Sequence, residues 1–331
     1  MDNRPSLDPA VAEVRLAVRQ SLAAIAEGAT IVVGLSGGPD SLALSAALAF
    51  EGPKRGLHAM SVTVDHGLQH DSASVAEAAA RQAAQLGLHP LVIRVTVGEE
   101  GGPEAAARAA RYQVLGDAAS DAGAVAVLVG HTLDDQAESV LLGLARGSGA
   151  ASLQGMAPVS QLAPGVALLR PLLTVRRATT RAACAAEGLE PWDDPHNSDV
   201  RYTRVRVREN VMPVLESELG PRITMALART AMLLREDAEA FEEIIDETVE
   251  DIVEHAEAGI SVSAAALAAN PTALRNRIIR HVVAAEFGVS LTRSQTLEVA
   301  RLVTEWSGQG PIDLPGCRAR RTGGLIEFTA R

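Results

Sequence analysis

The segment IVVGLSGGPDSLAL, residues 31 to 44, joins an apolar run to a helix-forming run through a turn containing two glycines, and no other stretch limits the fold as strongly. Ile31 to Leu35 is short, continuous and rich in β-branched residues, which suits a parallel strand buried on both faces. Ser41 to Phe50, dominated by Ala and Leu, reads as the helix that follows. A glycine-built strand–loop–helix junction aims several backbone N–H groups at one point beside the positive end of a helix dipole, which suits a phosphate. The lysine of the common phosphate loop, G-x-x-x-x-G-K-[ST], is missing. Ser36, Gly37, Gly38, Pro39, Asp40 and Ser41 instead offer hydroxyls, amides and a carboxylate, a set able to grip pyrophosphate with Asp40 sharing a Mg²⁺ between phosphates. The same residues also read as a tight turn in which Ser36 or Ser41 caps the helix.

The strand–helix pattern then repeats. HAMSVTVDHG, PLVIRVTVG and AVAVLVGHT read as strands, and SVAEAAARQAAQLG, PEAAARAARYQVLGDAASDAG and LDDQAESVLLGLARG as helices. Alternation of this kind implies right-handed βαβ units around a parallel, Rossmann-like sheet. Ligands of such sheets sit at the carboxyl ends of the strands. Three polar clusters fall at those ends, Ser36 to Ser41, Asp65-His66, and His131 to Glu138, so they are expected to converge on one crevice.

The 331 residues are enough for two domains, and 47% hydrophobic residues supply their cores. No 18-residue apolar stretch is free of charge and the first residues lack an export signal, so a cytoplasmic protein without a membrane role is expected. Cys184 and Cys317 form no C-x-x-C, which disfavours a disulfide framework, a structural zinc and a sulfur relay. The net charge of -11 argues against indiscriminate coating of nucleic acid but leaves room for a local basic face. Lys54 is the only lysine. Arg201, Arg204, Arg206 and Arg208 crowd the stretch VRYTRVRVREN, where alternation along a strand would point half of them into internal salt bridges. Arg318, Arg320 and Arg321 form a second cluster.

The stretch GHTLDDQAESVLLGLARGSG places Thr132 before a helix with Asp135 three residues on, a capping box by itself. Yet Asp134, Asp135 and Glu138 gather more acid than a cap needs, and Glu138 can share a helix face with either aspartate. A pair such as Asp135 and Glu138 can hold the ammonium or amino group of a basic substrate, or ligate Mg²⁺. His131 is open to three readings: a core histidine, a phosphate contact or a metal ligand.

The hexapeptide resembles the S-G-G-x-D-S loop of N-type ATP pyrophosphatases, which split ATP into AMP and pyrophosphate. Together LSGGPDS, VDHGLQ, PEAAARAARY, GHTLDDQAESVLLGLARGSG, LLRPLL and WDDPHNSDVRYTRVRVRENVMPVLE resemble tRNA(Ile)-lysidine synthetase, in order and separation, across residues 30 to 220. The resemblance implies ATP-dependent attachment of L-lysine to C2 of the wobble cytidine in the CAU anticodon of tRNA(Ile), through an adenylated cytidine. It implies ATP contacts from Ser36 to Ser41 with Asp65, His66 and His131, a Mg²⁺ at Asp40, a lysine site at Asp135 and Glu138, and arginines near the adenylating centre at Arg111 and Arg204. Ser139, His196 and Val205 depart from the usual family residues; the last unsettles the register around Arg204.

The chain is expected to divide into a catalytic domain, residues 1–219, and a smaller, mainly helical domain, residues 220–331, which ends in a β-hairpin at Gly323-Gly324 and contacts tRNA. Arg201, Arg206 and Arg208 beside the first domain's end, with Arg318, Arg320 and Arg321 in the second, are the candidate RNA contacts. The oligomeric state stays open, a homodimer included. The competing readings are another tRNA-directed N-type pyrophosphatase and a non-catalytic nucleotide- or tRNA-binding module.

Overall fold

The computed structural model describes residues 7–67, 71–95, 103–147, 149–194, 199–256 and 259–331. The chain forms two compact units, Met1–Arg235 and Glu236–Arg331.

In the first unit α1 (Pro9–Ser21) starts at Asp8, whose side chain accepts from the Ala10 and Val11 amides, with Pro9 in the first turn. There follow β1 (Thr30–Gly34), α2 (Pro39–Glu51), β2 (His58–Asp65), α3 (Ser72–Gln85), β3 (His89–Arg94), α4 (Pro103–Asp121), β4 (Ala124–Leu128) and α5 (Leu133–Ala145). The expected alternation of strands and helices is thus present. A short α6 (Ala150–Leu153) leads into a hairpin of β5 (Val159–Ala163) and β6 (Val166–Leu169), then α7 (Arg177–Ala186), α8 (Thr203–Arg206), a π-helical turn at Val207–Val211 and α9 (Met212–Leu219). Finally α10 (Ile223–Ile252) runs from this unit into the next.

The sheet order is β3-β2-β1-β4-β6-β5, parallel throughout except that β5 runs against β6. It is a mixed sheet for that reason. β1 is central, and the chain leaves it toward β2 on one side while β4 returns on the other. The carboxyl ends of β1 and β4 therefore flank the crevice where strand order reverses, the place where open α/β sheets bind ligands. Ile31, Val33, Ala126 and Leu128 face one core with Leu42 and Leu48 of α2, while Val32, Val62 and Val127 face another with Leu115 of α4. A strand apolar on both faces is what a covered parallel sheet needs.

Helices predominate in the second unit, and a five-stranded antiparallel sheet, order β7-β8-β11-β10-β9, accompanies them. Its elements are β7 (Val253–Ala256), β8 (Gly259–Ser263), α11 (Ala264–Ala269), α12 (Thr272–Phe287), α13 (Arg293–Thr304), β9 (Ile312–Leu314), β10 (Cys317–Thr322) and β11 (Leu325–Ala330). Phe328, Ile326, Ile278, Ile279 and Val283 are buried at its centre. The expected hairpin is present: Thr322 pairs with Leu325 across Gly323, whose φ of 58° is the left-handed geometry a two-residue turn demands. The tail GPIDLPGCRARRTGGLIEFTA also reads as short strands, as β9 to β11 are, whereas β7 and β8 were hidden because they are four and five residues long and β7 directly continues an acidic helix. Likewise VRYTRVRV is not a strand: it turns at Val200 to Tyr202 and is helical from Thr203, so Arg204 and Arg208 lie four residues apart on one helix face.

Candidate active site

The loop from Ser36 to Ser41 is knitted by its own hydroxyls. The Ser36 amide donates to Ser41 Oγ at 3.1 Å, and Ser41 Oγ donates to the Gly38 carbonyl at 3.0 Å. Gly37 takes φ 84°, and its carbonyl accepts from the Trp192 amide at 2.9 Å. At the start of α2 the N-cap is Gly38 and no side chain caps the helix, so the capping reading of Ser36 and Ser41 does not hold. The first-turn amides keep their positive end for a ligand. Gly130, at the end of β4, lies so close that a Cβ there would stand 3.0 Å from the Asp40 carbonyl. Strand end and loop can approach this far only with glycine.

Asp40 accepts from the Thr180 hydroxyl and lies 3.6 Å from Arg177 Nε. Burial raises its carboxyl above the usual range, against the pull of Thr180 and Arg177.

Asp135 divides its two oxygens between two tasks. Oδ2 accepts from the Thr132 amide at 2.8 Å and hydroxyl at 2.9 Å, completing the capping box of α5. Oδ1 faces a ring of guanidiniums: Arg177 Nη2 at 2.9 Å, Arg204 Nη2 at 3.4 Å and Arg208 Nη2 at 3.5 Å. Glu138, 1% exposed, accepts from the same three arginines at 2.8 to 3.2 Å. Burial would raise Asp135, but Arg177, Arg204 and the Thr132 amide overcome it and hold the carboxyl down to about 2. Asp134 turns away and accepts from the Arg177 amide at 2.8 Å, anchoring the start of α7.

Arg111 differs from these arginines. It is half-buried, makes no ion pair with a carboxylate among the described residues, and its Nε has no partner. Burial lowers its pKa. His131, with Nδ1 unpartnered, is driven down to about 3 by burial, the guanidiniums of Arg111, Arg108 and Arg170 adding to it against Asp135. Burial and then Arg111 also lower His66. Both imidazoles are therefore neutral at pH 7. Asp65 is held below its ordinary range, first by the Ser72 hydroxyl, and accepts from the Gly67 amide at 2.9 Å. One cavity of about 900 Å³ is lined by Ser36, Gly38 to Ser41, Asp65, His66, Arg111, His131, Asp135, Arg177 and Arg208.

This convergence of an uncapped glycine loop, an unpaired arginine and an acid pair has counterparts elsewhere. Residues 12–215 match the PP-loop domain family, and residues 263–326 match the TilS substrate binding domain family. The tRNA(Ile)-lysidine synthase of Leifsonia xyli subsp. xyli is 57% identical over 306 residues, 92% of this chain and 91% of that protein. The chain belongs to the tRNA(Ile)-lysidine synthase family. The Thermobifida fusca tRNA(Ile)-lysidine synthase is 49% identical over 97% of this chain and 98% of its own length. Among solved structures, the U34-tRNA thiolase NcsA from Methanococcus maripaludis, described with its [4Fe-4S] cluster, aligns with a TM-score of 0.59 at 18% identity, over 68% of this chain and 79% of that one. That likeness concerns the fold. As a PP-loop member of the synthase family, the chain is an ATP-dependent ligase.

Most of the residues singled out for this family are brought together in the first unit. Exceptions are instructive. Arg201 is bound to Asp199 through Nη2 at 2.7 Å, and Arg206 donates to the Val200 and Arg201 carbonyls, both at 2.9 Å, so neither belongs to the cavity. Arg204 and Arg208 point inward onto Glu138. In the second unit Arg318 meets Asp313 at 2.8 Å, Arg320 meets Glu327 at 2.6 Å and Arg321 donates to the Leu302 carbonyl at 2.9 Å. His196 lies outside the described residues. Val205 is buried, and Ser139 donates to the Asp135 carbonyl at 2.7 Å.

Sequence reasoning missed Arg177, which touches Asp40, Asp135 and Glu138 at once. The available signal was the pair Arg176-Arg177 just after LLRPLL, at the start of a helix, where a cation is unfavourable to the dipole and needs another reason to be there. Thr180, one turn on, was missed too. Cys184, buried with its thiol pushed up to about 11 chiefly by burial, has no nucleophilic character. Among the described residues no helix is long and apolar enough to cross a membrane.

Proposed function

We propose that this cytoplasmic enzyme adenylates the wobble cytidine of the CAU anticodon of tRNA(Ile) and ligates L-lysine to its C2, releasing pyrophosphate and AMP. The observation that carries this reading is the shared cavity, in which the uncapped start of α2 and the carboxylate-free Arg111 stand in the same space as Asp135. Phosphate binding is supported at one end and binding of an amine at the other.

In this reading Ser36 to Ser41 hold the pyrophosphate end of ATP, with Asp65, His66 and His131 around the nucleotide. Arg111 neutralises charge as the cytidine O2 attacks the α-phosphate, a stabilisation realised most fully in the transition state. Two neutral imidazoles donate or accept hydrogen bonds there without adding charge. Asp135 and Glu138 orient the side-chain amine of lysine. Because Asp135 is held near 2, it is a poor proton acceptor and serves for orientation. The three guanidiniums now on the pair occupy the place of the incoming cation, so lysine entry requires at least one of them to move.

Asp40 fits a Mg²⁺ of the kind held by one carboxylate and substrate phosphates, since it is a single acid at the loop whose burial outweighs the compensation from Thr180 and Arg177. The ion would neutralise the departing pyrophosphate. Residues 1–219 would carry the chemistry. The region from 220 on would contact tRNA through Arg318, Arg320 and Arg321, and Arg201 and Arg206 would serve the anticodon side, whereas Arg208, first expected there, is engaged by Glu138; Arg318 and Arg320 would exchange their carboxylate partners for phosphates.

The test is incubation with ATP, Mg²⁺, labelled lysine and tRNA(Ile) bearing a CAU anticodon. Label must enter the tRNA in an ATP-dependent manner. A tRNA-thiolating or non-catalytic protein would leave it unlabelled.

A further inference from the structure

Arg108, Arg111 and Arg170 of the first unit gather at Tyr112, with Arg235 beside Arg170. Arg108 donates Nη2 to the phenol oxygen at 3.3 Å and lies 5.0 Å from the ring centre, while Arg111 lies 5.4 Å from it. Arg170 donates Nη1 to the Ala157 carbonyl at 2.7 Å and to Ser160 Oγ at 3.0 Å. Arg235 donates Nη2 to the Gln154 carbonyl at 2.8 Å and the Gly155 carbonyl at 3.0 Å. All four are half-buried. Carbonyls and hydroxyls orient these guanidiniums but do not neutralise them. No carboxylate forms an ion pair with any of the four among the described residues, whereas Arg15, Arg19, Arg176, Arg177, Arg204 and Arg208 all have one.

Such a cluster works against its own fold. Burial lowers Arg170, and Arg108 and Arg235 lower it further by repulsion. Folding alone gives no reason to gather like charges around one phenol; a bound anion does. The nucleotide accounts for Arg111, which lines the cavity, but not for Arg108, Arg170 or Arg235, which do not. Arg108 and Arg170 nevertheless act on His131 at the cavity wall, so the cluster begins where the cavity ends. An extended polyanion, with one phosphate in the cavity and further ones outside it, matches this layout. Planar guanidiniums held by fixed acceptors are suited to phosphate oxygens.

We propose that Arg108, Arg170 and Arg235 form a clamp for the phosphate backbone of the RNA strand beside the reacting nucleotide, continuous with Arg111 inside the cavity. This rests on the reading of that cavity as the tRNA-modifying site. It assigns RNA contacts to the catalytic unit at residues separate from the 201–208 cluster.

The experiment compares wild type, the Arg108→Gln/Arg235→Gln variant and the Arg108→Lys/Arg235→Lys variant, each as full-length chain, for binding of unmodified tRNA(Ile) transcript over a salt series, ATP binding and thermal unfolding. The Gln variant should bind tRNA more weakly, with the slope of log affinity against log salt reduced by about 1.5 units, taking about 0.7 to 0.9 per phosphate contact. Its ATP affinity should be unchanged and its Tm equal or higher, because a repulsion has been removed. The Lys variant should keep the wild-type slope. Unchanged tRNA affinity in the Gln variant overturns the clamp. So does an equal loss of ATP affinity, which would assign these arginines to the nucleotide, and so does a Lys variant as impaired as the Gln one. Failure of the wild type to incorporate lysine would instead overturn the reading of the cavity, while the clamp is still judged by the binding series.

Discussion

Arg208 grips Glu138 through both carboxylate oxygens, Nε to Oε1 at 2.8 Å and Nη2 to Oε2 at 3.1 Å. Arg177 and Arg204 complete the enclosure, and Glu138 is the common partner of all three. Glu138→Gln strands cations that have little access to water. Breaking a buried pair from one side costs about 3–5 kcal/mol, so denaturant unfolding should show a loss of that order together with a raised KM for lysine. A variant with wild-type stability would mean that Asp135 alone satisfies the arginines.

Asp40→Asn has the opposite stability profile. Because burial raises the Asp40 carboxyl, exchanging it for a neutral amide should leave Tm unchanged or higher. Adenylation should nevertheless fall about 100-fold or more, the usual loss when a preorganised charge at a reacting phosphate is removed. Pyrophosphate release in the presence of tRNA and ATP measures this, and near-normal release by the folded variant would remove the metal role.

His131 gives a pH dependence with a definite sign. Its folded pKa, about 3, lies below the ordinary 6.5, so between those values the unfolded chain binds a proton that the native chain does not. Stability is then lost as pH falls below 6.5, with a slope of at most about 1.4 kcal/mol per pH unit from this group. His66, also lowered, adds in the same sense. His131→Gln should flatten the curve of unfolding free energy against pH from 6.5 to 4; an unaltered curve would place the titrating group elsewhere.

Gly130→Ala tests the approach of β4 to the nucleotide loop. The added Cβ meets backbone atoms of Asp40 and Ser41 at 3.0 to 3.1 Å, contacts that only a shift of the loop can relieve. ATP affinity should fall about tenfold or more, since small misplacements at a phosphate site are costly. Lysine binding without ATP should be unaffected.

Neutralising Arg318, Arg320 and Arg321 together should flatten the salt dependence of tRNA binding by up to about two units. Pyrophosphate release measured at saturating tRNA should hardly change. Unaltered affinity across the salt series would mean that Asp313, Glu327 and the Leu302 carbonyl keep those arginines occupied.

The alternation of apolar runs with Ala-rich segments was enough to give β1 to β4 and α2 to α5, because a covered parallel sheet forces continuous apolar strands of a length that periodicity reveals. Ser36 to Ser41, Asp65-His66 and Asp135 could be placed at one crevice for the same reason: strand ends in such a sheet share a side. Other features had no local signal. The hairpin of β5 and β6 sits in a Gly- and Ser-rich stretch, and the sheet of the second unit is made of short strands whose order, β7-β8-β11-β10-β9, depends on pairing between distant segments. The arginines show the limit best. Arg204 and Arg208 point inward because the stretch is helical and Glu138 waits on α5, three helices before α8, Arg177 bridges three carboxylates whose identity its own helix does not reveal, and Arg108 and Arg170 meet at Tyr112 from segments about sixty residues apart. A guanidinium reads the same in sequence wherever it goes; only its tertiary neighbours decide whether its charge is spent on a carboxylate or left for a phosphate.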